Sequence, residues 1–173
     1  DFVRCLNLRY ILSSTCSDSG KLKAALQKRK IALVMHLYFE DLISDMCQYA
    51  SYMPEETDIY VTTNTEEKKK IIEREFSERL YNKKLEVRVI ENRGRDVSSA
   101  LVGVKDIIFE YDYVCFMHDK KTDHLKPGTV GSGFAYKCFE NIIYNRHFVN
   151  NVICLFEENP RLGILSPPAP NHA

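Results

Sequence analysis

Four short apolar runs, each followed by a helical pattern, most constrain what this chain can fold into. The runs are residues 31–35, 58–63, 85–90 and 112–117. The first is continuously apolar, which is typical of a strand buried on both faces of a sheet. Parallel strands need crossover connections, so strands that alternate with helices form a parallel sheet with helices packed on it. The sequence therefore predicts an α/β fold with a mostly parallel sheet and helices on both faces.

Helices are predicted between and after these strands. They cover residues 41–53, 65–80, 97–108, 134–145 and 147–158, and a last short strand is expected at 162–165. In the third helix the apolar residues recur at helical spacing, which predicts an inward face. Asn64 and Asp96 stand where N-caps are expected, and Glu67 completes a capping box with Asn64.

Composition excludes several classes of protein. The 173 residues carry a formal net charge of zero, so no nucleic-acid partner is expected. The apolar runs are far shorter than the roughly 20 residues of a membrane span. Six cysteines without a CxxC pair favour a reduced, cytoplasmic protein. The basic stretch 21–30 favours a solvated helix face, and contact with the inner face of an anionic membrane stays open as the alternative.

Domain organisation follows from where the core begins. Residues 1–30 have no clean period and are predicted to be a leader or linker. Residues 31–168 form the predicted α/β domain, and residues 169–173 are a tail.

Polar residues follow every predicted strand. The first strand ends in His36, the second in Thr63 and Asn64, and the other two in residues 92–96 and 118–121. Ligands of parallel sheets bind at the carboxyl ends of the strands, so one ligand site is expected at this edge. His36 and Asn64 also have simpler interpretations, as a hydrogen-bonded structural histidine and as a helix cap.

The segment Asn92-Arg93-Gly94-Arg95-Asp96 is the first chemical motif. Gly94 lets the backbone turn closely against a ligand. The helix that follows would offer free N–H groups at its positive end. Arg93 and Arg95 can grip a diphosphate in bidentate fashion. The alternative interpretation is a helix cap with a local ion pair between arginine and aspartate.

The segment His118-Asp119-Lys120-Lys121 is the second motif. Asp119, at the end of a buried strand, can bind a divalent metal on a diphosphate. The two lysines can neutralise a leaving phosphate, with the metal or in its place. A solvated charged loop is the simpler interpretation. Metal-dependent phosphoryl hydrolysis, using Asp123 and His124 as well, is a further one, but it lacks a second acidic strand end.

Five segments together resemble the rhamnan synthesis protein F family of bacterial cell-surface polysaccharide assembly. They are residues 35–38, 60–63, 91–96, 117–121 and 159–163. The order of the strand ends also resembles the nucleotide half of a GT-A glycosyltransferase. The resemblance implies a transferase that takes a nucleotide-sugar, with dTDP-rhamnose as a candidate donor, and a glycan or lipid-linked acceptor. The alternative is a non-catalytic module that holds a nucleotide or glycan inside a larger assembly protein.

The same resemblance implies roles for individual residues. The nucleotide-sugar would be held by His36, Thr63, Asn64, Asn92, Arg93, Gly94, Arg95, Asp96 and His118, whereas Asp119, Lys120 and Lys121 would be catalytic. Asp119 would bind Mg²⁺ or Mn²⁺. A usual GT-A acidic motif has two aspartates and this chain has one, so the need for metal stays open. The acceptor half of such a domain would lie after Asp119, and we expect it to be incomplete.

Overall fold

A four-stranded sheet forms the centre of residues 28–119. The computed structural model describes residues 19–121 and 129–167. It separates into two units, residues 28–119 and residues 1–27 together with 120–173. The predicted domain boundaries at residues 30 and 168 stay a prediction.

Strand β1 (Ile31–His36) lies inside the sheet between β2 (Asp58–Thr63) and β4 (Tyr113–His118), and β3 (Leu85–Val89) lies beyond β2. All three pairings are parallel. Every residue of β1 is buried, which explains its unbroken apolar pattern. The predicted α/β fold with a parallel sheet is confirmed.

Helical segments cover the sheet on both faces. The 3₁₀ turn Glu40–Leu42 leads into α2 (Ile43–Ala50), which packs against α3 (Glu66–Arg79). The segment after β3 covers the opposite face of the sheet. Its buried residues pack against every second residue of β1, since alternate side chains of a strand point to the same face. This second cluster contains Ala32, Val34, Tyr60 and Val104, with Ile107, Ile108 and Tyr111 packed against it.

The predicted helix over 97–108 is wrong in its detail. The structure has one α-helical turn, α4 (Arg95–Ser98), then a π-helical stretch (Ser99–Gly103) and a 3₁₀ turn (Ile108–Glu110). Wider π-helical turns rotate the apolar positions away from a 3.6-residue period. Val104 consequently reaches the core, whereas Val97 and Leu101 are 57% and 68% exposed.

Arg88 ties this irregular segment to β3. Its Nη1 donates to the Gly103 carbonyl at 2.8 Å and to Asp106 Oδ1 at 2.6 Å. Its Nε donates to Glu86 Oε1 at 2.6 Å. The hydrogen bonds that Arg88 donates to Asp106 and Glu86 raise the pKa of Arg88. The bond from Arg88 also lowers the pKa of Asp106. Specific polar contacts therefore hold the segment where its helical hydrogen bonding is irregular.

The predicted cap at Asn64 is also wrong. The N-cap of α3 is Thr65, whose extended backbone and hydroxyl oxygen suit the position. Its Oγ1 accepts from the Lys68 N–H at 3.2 Å. Asn64 instead directs its amide oxygen to the ammonium group of Lys68, 2.9 Å away.

The regular elements described in the second unit are three helices. It contains α1 (Ser19–Lys28) apart from Lys28, together with α5 (Thr129–Glu140) and α6 (Arg146–Glu158). Lys21 Nζ and Glu158 Oε1 form an ion pair at 2.7 Å. None of the described helices is both long enough and apolar enough to span a bilayer.

Two sequence predictions fail in this unit. The helix predicted to reach residue 145 ends at Glu140, because Asn145 is the N-cap of α6 and accepts from the Phe148 N–H at 2.9 Å. Residues 162–165, predicted as a strand, have irregular backbone, and Ile164 is 84% exposed. The apolar pattern there is local and does not correspond to a buried strand.

The close contact at Gly103 leads to a prediction. A Cβ added there would lie 2.9 Å from Thr62 Cγ2, a buried atom on a stiff β-branched side chain. We expect Gly103→Ala to lower the free energy of unfolding by about 1–3 kcal/mol through overpacking. Urea denaturation should show a lower midpoint with an unchanged slope. Gly163→Ala is the control, since a Cβ there meets nothing within 4 Å; equal midpoints for the two variants would contradict the packing argument.

Candidate functional site

The carboxyl ends of β1 and β4 lie side by side where the chain reverses its direction across the sheet. From β1 the chain proceeds outward to β2 and β3, and then returns to place β4 on the other side of β1. Ligands of open parallel sheets bind outside the carboxyl ends at such a switch point. His36 pairs in register with Thr62 on one side and with His118 on the other. The structure therefore gathers these three polar residues at the predicted edge.

His36 is buried at this edge, with 6% of its surface exposed. Its Nδ1 lies 2.9 Å from Thr62 Oγ1, which also donates to the Met35 carbonyl at 3.4 Å. This contact holds the imidazole ring in place at the end of β1. Burial lowers the pKa of His36, His118 lowers it further, and Asp96 acts in the opposite direction. His36 is thus a neutral imidazole at neutral pH.

His118 and Asp96 form the more accessible part of the edge. His118 Nδ1 donates to the Asp119 carbonyl at 2.8 Å, and its Nε2 lies 3.5 Å from Asp96 Oδ2. Both side chains are 34% exposed. Asp96 is therefore directed at the histidine and is not the predicted N-cap. The N-cap is Gly94, and Asp96 lies in the first turn of α4.

The turn before α4 presents exposed polar groups. Asn92, Arg93 and Gly94 are all exposed. Gly94 has φ +83°, a left-handed conformation that side chains rarely adopt, which accounts for the glycine. Arg95 begins α4, and its side chain lies outside the described part of the structure. Since α4 is only four residues long, its dipole is smaller than the predicted helix would supply.

Asp119 is buried, and its carboxylate binds the backbone of the loop after β1. Its Oδ2 accepts from the backbone N–H groups of Tyr38 and Phe39 at 2.7 and 2.6 Å. Burial raises the pKa of Asp119, and these two hydrogen bonds oppose the shift. The carboxylate thereby joins the end of β4 to the loop after β1, and only 6% of the residue is exposed.

Thr63 is turned into the protein. It is fully buried, and its Oγ1 donates to the Leu37 carbonyl at 2.8 Å. Asn64 is half-buried and accepts from Lys68 Nζ. Lys68 was absent from the sequence prediction, although its position four residues after Asn64 on a helix was the signal that could have found it.

The two lysines after Asp119 belong to the second unit. Lys120 Nζ lies 5.3 Å from the centroid of the Phe134 ring, and Lys121 is half-buried. Asp123 and His124 lie outside the described residues. The catalytic roles predicted for Lys120 and Lys121 stay predictions.

Asp119 does not belong to a preformed cluster of metal ligands within the described part of the chain. Across residues 19–121 and 129–167, no three His, Cys, Asp or Glu side chains are grouped so that they could hold an ion. One carboxylate oxygen of Asp119 already receives two amide N–H groups.

Asp119 gives the first test of the site. Asp119→Ala would leave the amides of Tyr38 and Phe39 without their acceptor, and we expect a loss of about 2–3 kcal/mol in the free energy of unfolding. Asp119→Asn keeps a carbonyl oxygen in place and avoids a buried charge, so its loss should be smaller. Chemical denaturation of both variants measures the difference. Equal losses would show that the two amide contacts contribute little.

His36 gives a second test, through pH. The unfolded chain has an ordinary histidine pKa of about 6.5, whereas the folded pKa is lower. Between the two values the unfolded state binds a proton that the folded state does not, so stability falls as pH drops below about 6.5. Unfolding measured from about pH 8 to about pH 5 should show this loss, with a shallower dependence in His36→Gln. His147→Gln, at an exposed position on α6, should keep the wild-type dependence; an identical profile for His36→Gln would refute the assignment.

Comparison with known proteins confirms the resemblance found in the motifs. A sequence model of the family described as rhamnan synthesis protein F matches residues 2–173. No curated protein and no solved structure matches the chain. A match over nearly the full length shows family membership, and with it a part in rhamnan synthesis, a form of polysaccharide biosynthesis. The chain belongs to the rhamnan synthesis protein F family.

Proposed function

We propose that this chain binds a nucleotide-sugar at the carboxyl edge between β1 and β4 and transfers its sugar during rhamnan synthesis. The observation that carries the proposal is the switch point, where His36 and His118 meet in register beside the exposed turn 92–94. A rhamnan is a polymer of rhamnose, so an activated rhamnose such as dTDP-rhamnose is the proposed donor. A glycan or a lipid-linked glycan is the proposed acceptor.

The groups at the edge suit different parts of such a donor. Neutral His36 and the half-exposed His118 are suited to hydrogen bonds with ribose or base. Arg93 is exposed and can pair with a phosphate in bidentate fashion. Asn92 adds an amide to the same exposed turn, and Gly94 lets the backbone approach the ligand.

Transfer itself makes and breaks one bond at the sugar. The acceptor hydroxyl oxygen bonds to the anomeric carbon, and the bond from that carbon to the diphosphate breaks. The electron pair stays on the leaving nucleoside diphosphate, and the hydroxyl proton is released to a base. Positive groups near the diphosphate lower the barrier because they stabilise the charge that develops there. Arg93 is our candidate for this role in the unit that contains the sheet. Lys120 and Lys121 stay candidates on the strength of the sequence motif alone.

A non-catalytic binding module is the second candidate function. The contacts of Asp119 favour it, because a carboxylate that holds the amides of Tyr38 and Phe39 has a structural role already. Such a module would bind the same nucleotide-sugar without turning it over. The two candidates therefore differ in turnover and agree on binding.

We also propose a cytoplasmic location. The described cysteines Cys47, Cys115, Cys138 and Cys154 are all free thiols, as is usual in a reducing compartment. Association with the inner face of the membrane through the basic helix α1 is a further part of this proposal.

Calorimetric titration distinguishes these candidates. Titrations with dTDP-rhamnose, dTDP and UDP, each with and without Mg²⁺ or Mn²⁺, should give saturable binding of at least one nucleotide. Release of nucleoside diphosphate from the bound donor when acceptor glycan is added supports the transferase. Binding without release in the full-length protein supports the module. No binding of any nucleotide would contradict both.

Arg93 offers a sharper prediction. Arg93→Met removes an exposed guanidinium from the turn, and we expect affinity for nucleoside diphosphate to fall by about tenfold, the value of one charge-assisted hydrogen bond. Arg74→Met, which removes an exposed arginine from α3, is the matched control and should bind as the wild type does. If both variants kept wild-type affinity, the turn would have no part in binding phosphate.

A further inference from the structure

Lys68 places a positive charge at the carboxyl edge of β1 and β2. It lies in the first turn of α3, and its Nζ donates to the Tyr38 carbonyl and to Asn64 Oδ1. The same nitrogen lies 4.3 Å from the centroid of the Tyr38 ring, within the range of a cation–π contact. Three separate contacts therefore fix the ammonium group between the loop after β1 and the end of β2.

The charge of Lys68 acts on both polar groups that end the neighbouring strands. Burial is the main influence on the pKa values of Asp119 and His36, raising the first and lowering the second. Lys68 lowers the pKa of each. Its charge is therefore close enough to act on the ends of both β1 and β4, which is the edge where a ligand is expected.

The arrangement leaves the ammonium group suited to an anion. An ammonium has three N–H donors, and the two oxygen acceptors use two of them. Lys68 is half-buried, and Tyr38 beside it is 37% exposed, so the nitrogen is reachable from the edge. A lysine held in one position has already lost its rotamer freedom, so little further entropy is lost when a ligand binds.

We infer that Lys68 binds a phosphate of the nucleotide-sugar donor, with the exposed ring of Tyr38 beside it. This inference rests on the proposed function, and it adds a residue that the sequence motifs did not contain. It also places a binding cation on the β1–β2 side of the edge, whereas the motif arginine Arg93 follows β3. The diphosphate thus has charged partners contributed after two different strands.

The test compares ligands with and without phosphate. Titrations of inorganic pyrophosphate, dTDP and thymidine would be made with the wild type, Lys68→Met, Lys68→Gln and Lys68→Arg. We expect Lys68→Met to weaken binding of pyrophosphate and dTDP about tenfold, as one charge-assisted contact would, and thymidine by less than twofold. Lys68→Arg should keep most of the affinity, because it keeps the charge.

Controls separate binding from folding. Lys70→Met removes an exposed lysine from the same helix and should leave every affinity unchanged. Lys68→Gln keeps a hydrogen-bond donor for the Tyr38 and Asn64 oxygens, so it provides the neutral variant if Lys68→Met unfolds. Thermal unfolding of each variant identifies any loss of structure.

The outcomes are distinguishable from failure of the proposed function. If the folded neutral variants bound pyrophosphate and dTDP as tightly as the wild type does, the role of Lys68 would be overturned, and nucleotide binding would stand. An equal loss for thymidine and dTDP would also overturn it, since it would indicate a structural role only. A third outcome is that the wild type binds pyrophosphate in a Lys68-dependent way but binds no nucleotide. This would support the anion site and refute the nucleotide-sugar donor. If the wild type bound none of the three ligands, both the role of Lys68 and the proposed function would be refuted.

Discussion

The pairing of β1 with β2 on one side and β4 on the other determines the candidate site. Parallel ladders set which residues stand opposite each other, so burying β1 places His36 beside Thr62 and His118. A slip of one residue in either ladder would turn the partner to the opposite face of the sheet. Such a slip would also break the packing of Ala32 and Val34 against Val104, and it would move His36 away from the hydroxyl of Thr62. The same hydrophobic contacts that stabilise the core thus also position the polar edge.

The polar groups at this edge divide into those that serve the fold and those that remain accessible. Asp119 and Thr63 are buried and satisfy backbone groups of the loop after β1. Asp96 and His118 are partly exposed and contact each other, and Arg93 is exposed. Sequence proximity to a strand end does not separate these cases. The division depends on which backbone groups of the adjacent loop need partners, because buried amides must be satisfied.

Much of the fold could be predicted from the sequence, since each strand buries a short apolar run and each crossover connection forces parallel pairing. The edge residues His36 and His118 followed from the same reasoning. The segment after Arg95 could not be predicted in detail, because a π-helical stretch and the close approach of Gly103 to Thr62 override the local 3.6-residue period. The link from Asp119 to the Tyr38 loop, across 81 residues, is a tertiary contact that no local pattern encodes.

Under the proposed function, the anionic donor meets an edge whose two acids already have contacts within the protein. Asp119 receives two backbone N–H groups, and Oδ2 of Asp96 lies 3.5 Å from Nε2 of His118, so both acids are engaged within the protein. Lys68 adds positive charge on the side of β1 and β2. If the proposed donor binds here, a motif with one aspartate in place of two places one negative charge fewer beside its phosphates. Under the proposed function, Lys68 and Arg93 would provide part of the charge neutralisation that an acidic motif obtains from a metal ion.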